Sequence, residues 1–414
     1  MNTLDRELST RLARLRAQGL NRELRRIDSA QSPRIVLGGR VFLNFSSNDY
    51  LGLANDGALK QAAVAALHRY GAGAGASRLI CGSLAPYHEL EEAIAQFKGT
   101  EAALTFSTGY VTGIGALSAL LGKNDIVILD RLVHASLIDG ARLSGAKLRV
   151  FRHNDLNDLE AILKWAALVI HPPNPKEQAP PPRALIVTES VFSMDGDTAP
   201  LRAIADLKDR YGAWLMVDEA HATGLYGPNR RGLAEEMGVS DRIDVQMGTL
   251  GKALGASGGF ISGSRILIDY LINQARSFIF STAPVPSAAA AATAAIRFVQ
   301  SEAGERRRNL LWERIDELSS SRWADGGRRP SAIFPIIVGD ETKAVQAADA
   351  LRESGIFVPA IRYPTVARGA SRLRLTLTAA HTRLDIAHAL SVLESVLDLG
   401  SQMDRHHLAL KSGI

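Results

Sequence analysis

Trp214-Leu215-Met216-Val217-Asp218-Glu219-Ala220-His221 reads as a short apolar strand that ends in three ionisable residues. A brief, unbroken apolar run suits a strand covered on both faces, as in a parallel sheet. In open parallel sheets ligands bind beyond the carboxyl ends of the strands, which is where Asp218 falls. Residues three apart in an extended chain lie ~10 Å apart and point to opposite faces, so Asp218 and His221 share a ligand only if the chain turns after Asp218. Ala220 and Gly224 permit that turn. Taken alone, Asp218 reads equally well as a cap on the next helix.

Working outward, similar runs recur at Ala103–Phe106, Ile126–Leu129, Leu148–Phe151, Ala184–Val187 and Phe260–Ser262, with helix-like stretches between them. This alternation predicts βαβ crossovers and a large α/β domain with a mostly parallel sheet. Upstream, Leu4, Leu8, Leu12 and Leu15 form the stripe of an amphipathic helix, which needs something to pack on. Val41, Leu43 and Phe45 give a weak strand signal before the polar Ser46-Ser47-Asn48-Asp49. Downstream come a charged helix, a strand at Ile333–Val338, a helix at Ala344–Ser354 and the alternating Arg372-Leu373-Arg374-Leu375-Thr376-Leu377-Thr378, expected to be a half-buried strand. The expected division is 1–45 as an N-terminal helix and strand packing with the small domain, 46–294 as the large domain and 295–414 as a small α+β domain. The proline-rich 172–182 cannot continue a helix or central strand and is expected to be an exposed loop.

Composition excludes several classes. With 46% hydrophobic and 22% charged residues the chain is neither disordered nor a disulfide scaffold. The net charge of +5 is spread along the sequence, so neither nucleic acid nor membrane is indicated as a partner. Cys81 is the single cysteine, so no intrachain disulfide exists, and no metal site is expected. No stretch reaches the ~18 apolar residues of a membrane span. Asp5, Glu7, Glu23 and Asp28 argue against a targeting peptide, which leaves a cytoplasmic location as the expectation.

Three further segments carry possible chemistry. In Gly248-Thr249-Leu250-Gly251-Lys252-Ala253-Leu254-Gly255-Ala256-Ser257-Gly258-Gly259 one lysine stands among five glycines. A Schiff-base lysine needs small neighbours and partial desolvation, although an isolated glycine-rich loop more often carries a solvated lysine. Phe106-Ser107-Thr108-Gly109-Tyr110-Val111-Thr112-Gly113 lies between a strand and a helix, where backbone N–H groups hold a phosphate or Ser107 or Thr108 simply caps the helix. Gly71-Ala72-Gly73-Ala74-Gly75 lacks both the spacing and the preceding strand of a dinucleotide site. His134 follows in Asp130-Arg131-Leu132-Val133-His134-Ala135-Ser136. The order of these segments is that of a pyridoxal 5'-phosphate (PLP) enzyme of aspartate-aminotransferase-like fold (PLP fold type I). There the aspartate keeps the pyridine nitrogen protonated and the lysine holds the cofactor.

Over roughly residues 41 to 382 the chain closely resembles the α-oxoamine synthases. The matching stretches are Asn44-Phe45-Ser46-Ser47-Asn48-Asp49-Tyr50-Leu51-Gly52-Leu53, Gly75-Ala76-Ser77-Arg78 with Gly82, His134-Ala135-Ser136, Glu189-Ser190-Val191-Phe192-Ser193-Met194-Asp195-Gly196, the Asp218 and Lys252 motifs, and Ser281-Thr282. His153-Asn154-Asp155 and Ala360-Ile361-Arg362-Tyr363-Pro364-Thr365-Val366 resemble the alanine-using members, with Tyr363 where proline is common.

The resemblance implies a cytoplasmic homodimer with shared active sites that condenses L-alanine with a pimeloyl thioester, carried on coenzyme A or an acyl carrier protein, as in biotin synthesis. It implies that Lys252 binds the cofactor and acts as base, Asp218 pairs with the pyridinium, His221 bonds the ring hydroxyl and His134 stacks on the ring. Gly109, Tyr110 and Thr249 would hold the phosphate, with Ser281 and Thr282 reaching it from the second subunit. Arg362, with Thr365 nearby in its motif, would grip the amino-acid carboxylate, Arg26 the acyl carboxylate, and Glu189, Ser193 and Asn48 would line the site. The competing readings are a ligase that uses glycine and acetyl-coenzyme A, and a non-enzymatic PLP-binding regulator or silent subunit. A regulator needs a DNA-binding domain for which the first ~45 residues show no pattern, and a silent subunit would be expected to lack the lysine.

Overall fold

A computed structural model describes residues 2–170, 182–321 and 331–411, the stretch from 398 by its backbone alone. The expected loop at 172–182 lies, but for Pro182, outside the described residues. The chain divides into two units, one of residues 1–47, 194–196 and 310–414, the other of 48–193 and 197–309.

The first unit opens with a helix at Thr3–Ala17 and two antiparallel strands, β1 (Arg34–Leu37) and β2 (Arg40–Asn44). The helix has the expected stripe, yet buries none of its residues; Leu4 is 63% and Leu8 44% exposed.

The second unit holds a seven-stranded sheet made of β3 (Ala102–Phe106), β4 (Ile126–Asp130), β5 (Lys147–Phe151), β6 (Ala184–Glu189), β7 (Trp214–Asp218), β8 (Val245–Thr249) and β9 (Gly259–Gly263), in the order β3-β9-β8-β7-β6-β4-β5. From β8 to β5 all neighbours are parallel, while β9 runs antiparallel to β8 and β3. The apolar runs are unbroken because both faces are covered: every residue of β3, β4 and β6 is buried. Each fully buried Val, Leu or Ile contributes about 1.5–3 kcal/mol.

One strand, β8, escapes the sequence reading because Gln246 and Gly248 interrupt its apolar run. Gln246 is buried with its amide donating to the Ser240 carbonyl at 3.3 Å. At Gly248 a Cβ would lie 2.4 Å from the Phe260 ring of β9, so the glycine admits the neighbouring strand. The carboxyl ends of β3, β4, β6, β7 and β8 and the start of β9 all meet at one edge of the sheet.

The first unit is completed by β10 (Ile333–Gly339), β11 (Ile356–Phe357), β12 (Ala360–Ile361) and β13 (Ser371–Thr376). Strand β11 joins β2 in parallel, and β13 lies between β10 and β12. The expectation of a half-buried strand fails here, since all six residues of β13 are buried. The polar face is covered as well as the leucine face: Arg372 pairs with Asp195 at 2.8 Å and donates to the Met194 carbonyl at 3.1 Å. Nearby His381 stacks on Phe45 with ring centroids 4.3 Å apart. Its Nε2 donates to the Asn44 carbonyl at 3.0 Å and its Nδ1 accepts the Thr378 N–H at 3.0 Å.

Candidate active site

Residues Glu189 and Asp218 end adjacent strands as register partners, and paired residues of a parallel ladder face the same side. Asp218 is buried and its Oδ1 accepts the Ala220 N–H at 2.9 Å. Burial pushes this carboxyl up, while the Lys252 charge pulls it back. Glu189 is likewise raised, to about 8, because burial and the negative Asp218 both oppose its ionisation, the Lys252 charge and the backbone N–H groups of His134 and Ser193 only partly offsetting them. Its buried Oε1 has no hydrogen-bond partner among the described residues.

After Asp218 the chain does turn. The N–H groups of Ala222 and Thr223 both return to the Glu219 carbonyl, and Gly224 takes φ +88°, a conformation that favours glycine. This turn carries His221 round to Lys252, with Nε2 2.7 Å from Nζ. On its other side His221 Nδ1 lies 2.6 Å from the hydroxyl of the buried Tyr50, which also donates to Asn48 Oδ1 at 3.3 Å. Lys252 sits in a closed loop after β8, tied by Leu250 and Gly258 and by Gly255 and Lys252. A Cβ on Gly255 would lie 2.5 Å from the Ala54 nitrogen, so the loop docks on backbone through this glycine.

Thr108 caps the helix Gly109–Leu120, its Oγ1 accepting the Val111 N–H at 3.3 Å. First-turn N–H groups have no intrahelical acceptor, and they gather positive potential. Thr249 Oγ1 stands beside Gly109, 3.5 Å from where a Cβ would be, and Gly259 is kept small because a Cβ there would lie 2.7 Å from the Gly109 Cα. His134 caps the helix Ala135–Ser144: its Nδ1 accepts the Ser136 N–H at 3.3 Å, so the neutral ring carries its hydrogen on Nε2. Burial lowers its pKa and favours that neutral form. Tyr110 meets the His134 ring edge to face at 6.3 Å.

These residues fit PLP. The buried strand-end Asp218 suits a pyridinium, the glycine-lined helix start at Gly109 suits a phosphate, and Lys252 acts electrostatically on Asp218 from its loop. Ser281 and Thr282 lie in the same unit, where Thr282 bridges to Ser77 and the Ala283 N–H reaches the Ala76 carbonyl at 3.0 Å. Arg362, Thr365 and Arg26 belong to the first unit. There Arg362 donates to the carbonyls of Gly19 and Asn21, Thr365 is exposed, and Arg26 pairs with Asp28 at 2.6 Å. Thr108 takes the capping alternative stated for it, whereas Tyr50 and Ser136 have site contacts that the sequence reading assigned to no role; only their motif context hinted at them.

Residues 40–393 match the class I and II aminotransferase family. The chain is 50% identical over 398 residues to an 8-amino-7-oxononanoate synthase of Anaeromyxobacter sp. (strain Fw109-5), covering 96% of each. Among solved structures, it resembles a variant of serine palmitoyltransferase from S. paucimobilis with a bound PLP–myriocin aldimine at TM-score 0.85 and 31% identity, covering 96% of this chain and 98% of that one. It also resembles 8-amino-7-oxononanoate synthase from Francisella tularensis at TM-score 0.71 and 27% identity, covering 87% and 99%.

Proposed function

Since the chain belongs to the class I and II aminotransferase family and, within it, to the α-oxoamine synthases, we propose that it catalyses the decarboxylative condensation of L-alanine with a pimeloyl thioester. The products are 8-amino-7-oxononanoate, carbon dioxide and the free carrier thiol, in biotin biosynthesis. The observation that carries the reading is Lys252 Nζ 2.7 Å from His221, beside the strand-end Asp218, in a chain half identical to such a synthase.

PLP, when bound, supplies a carbonyl that takes up amino groups and a ring that withdraws electrons from the amino-acid Cα. Lys252 would hold it and then move the proton at the alanine Cα. Asp218 would keep a proton on the ring nitrogen, the neutral His134 would cover the ring and His221 would bond the ring hydroxyl. Gly109, Tyr110 and Thr249 hold the phosphate through N–H groups and a hydroxyl. Glu189, Ser193 and Asn48 line the site. The alanine Cα bonds the thioester carbonyl carbon as the thiol leaves, the former alanine carboxylate departs as carbon dioxide, and Lys252 returns a proton. Arg362, with Thr365, is assigned the amino-acid carboxylate, which suits its two-point fork, and Arg26 the acyl carboxylate.

The working form is a cytoplasmic homodimer in which Ser281 and Thr282 reach the phosphate of the other subunit. The apolar stripe exposed on the helix Thr3–Ala17 supports association, and no described helix is long and apolar enough to cross a membrane. Sedimentation equilibrium of the PLP-loaded protein should give twice the chain mass; a monomer rejects the shared site. The large PLP-binding domain is assigned to 46–294, with 1–45 packing with the small domain and 295–414 forming it.

Thiol release tests the reaction, with L-alanine given pimeloyl-coenzyme A or pimeloyl-acyl carrier protein in two arms and glycine given acetyl-coenzyme A in a third. Release in an alanine arm is expected and names the carrier. Release with glycine alone selects the ligase, and silence in all three rejects catalysis.

A further inference from the structure

The chemistry above leaves His153 unused, although it stands in a stretch that resembles the alanine-using members. Both of its ring nitrogens face carboxylates: Nδ1 is 2.9 Å from Asp130 Oδ1, and Nε2 is 2.7 Å from Asp197 Oδ2. A carboxylate oxygen only accepts, so both nitrogens carry hydrogen and the ring is an imidazolium. Phe192 closes against the ring edge to face at 4.4 Å. Burial alone would push the pKa down, but the two acids lift it to about 9.

The two acids stand in different site segments. Asp130 ends β4, and its carboxylate also accepts the N–H groups of Leu132 at 2.8 Å and Asn154 at 3.0 Å, which folds the turn that delivers His134. Asp197 faces the segment that leaves β6 after Glu189. Its carbonyl accepts the Phe192 N–H at 2.9 Å, and Thr198 bridges to Val191. Asn154 braces the same segment, its Nδ2 donating to the Thr198 carbonyl at 3.2 Å.

We propose that His153 is a positioning residue, a shared cation that locks the His134 turn and the Glu189–Ser193 segment in register, so that groups on two strand ends face one cofactor. Without it two acids, Asp130 with a fully buried side chain and Asp197 with one 17% exposed, confront each other with no cation between them. The inference rests on the PLP-site reading.

The test compares wild type, His153→Gln and His153→Lys as PLP-loaded proteins, by visible circular dichroism of the bound cofactor, by kcat and KM for L-alanine, and by melting temperature. His153→Gln should fold and bind PLP with an altered visible spectrum, and kcat should fall about 10- to 100-fold while KM changes less than about threefold, as misplaced catalytic groups produce. His153→Lys, which restores the charge, should recover much of the signal and rate. A wild-type spectrum and kcat in His153→Gln, with only a lower melting temperature, overturn the clamp. If that variant does not fold, Asp197→Asn takes its place under the same criteria. A wild type that binds no PLP rejects the site reading itself, whereas a variant that matches wild type rejects only the role of His153.

Discussion

The side chains proposed to do chemistry are held by others that are assigned none. His221 meets Lys252 through one ring nitrogen and Tyr50 through the other, so the hydroxyl of Tyr50 fixes both tautomer and tilt. Tyr50→Phe leaves a buried ring nitrogen without that contact, a loss of about 1–3 kcal/mol. We expect kcat to drop by about tenfold, equivalent to 1.4 kcal/mol of barrier, with PLP still bound; an unchanged kcat in steady-state assays sinks this role. Asp218, His221 and Lys252 stood out in the sequence as candidates through a strand end and a glycine cluster, each ambiguous alone; their order along the chain and the family resemblance, which also supplied His134, carried the expectation. Tyr50 did not stand out, since it lies 171 residues from its histidine and no local pattern encodes a contact made by topology.

Elements were legible where their surroundings were uniform. The inner strands β4, β6 and β7 are apolar runs because both faces are covered, whereas the edge strand β5 is largely exposed and β8 carries Gln246 and Gly248, each placed by a single neighbour. Gly248→Ala drives a methyl toward the Phe260 ring, 2.4 Å from the Cβ, at a point where backbone hydrogen bonds hold both strands. Overpacking of this kind costs about 1–3 kcal/mol. Denaturant titration should show that loss, and stability equal to wild type would mean that β9 shifts freely. Strand β13 misled for the converse reason: an alternation of leucine with arginine normally marks a wet face, and only the tertiary structure shows Asp195 covering Arg372.

At the scale of the whole molecule, two histidines are among the groups through which pH acts on stability, and they do so with opposite signs. His381 is buried with its pKa pushed down to about 4, against an ordinary value of 6.5. The unfolded chain therefore takes up this proton first, and stability falls as pH drops from about 6.5 to about 4, by on the order of 3 kcal/mol at 1.36 kcal/mol per unit. His153, raised to about 9, contributes its full share below about 6.5 and loses it as pH rises through about 9. Unfolding free energies measured from pH 4 to 7 should climb less steeply for His381→Asn than for wild type; parallel curves would exclude His381 as the source.

The first unit is stitched from the two ends of the chain. The Phe45 carbonyl accepts from Thr376, 331 residues later, and β2 pairs with β11. On the ribosome, which adds about 5–20 residues per second, the opening segment thus emerges on the order of half a minute before the strands that complete its sheets exist. The seven-stranded sheet, whose strands all lie in between, has its whole sequence available first, while β2 waits for partners made long after it.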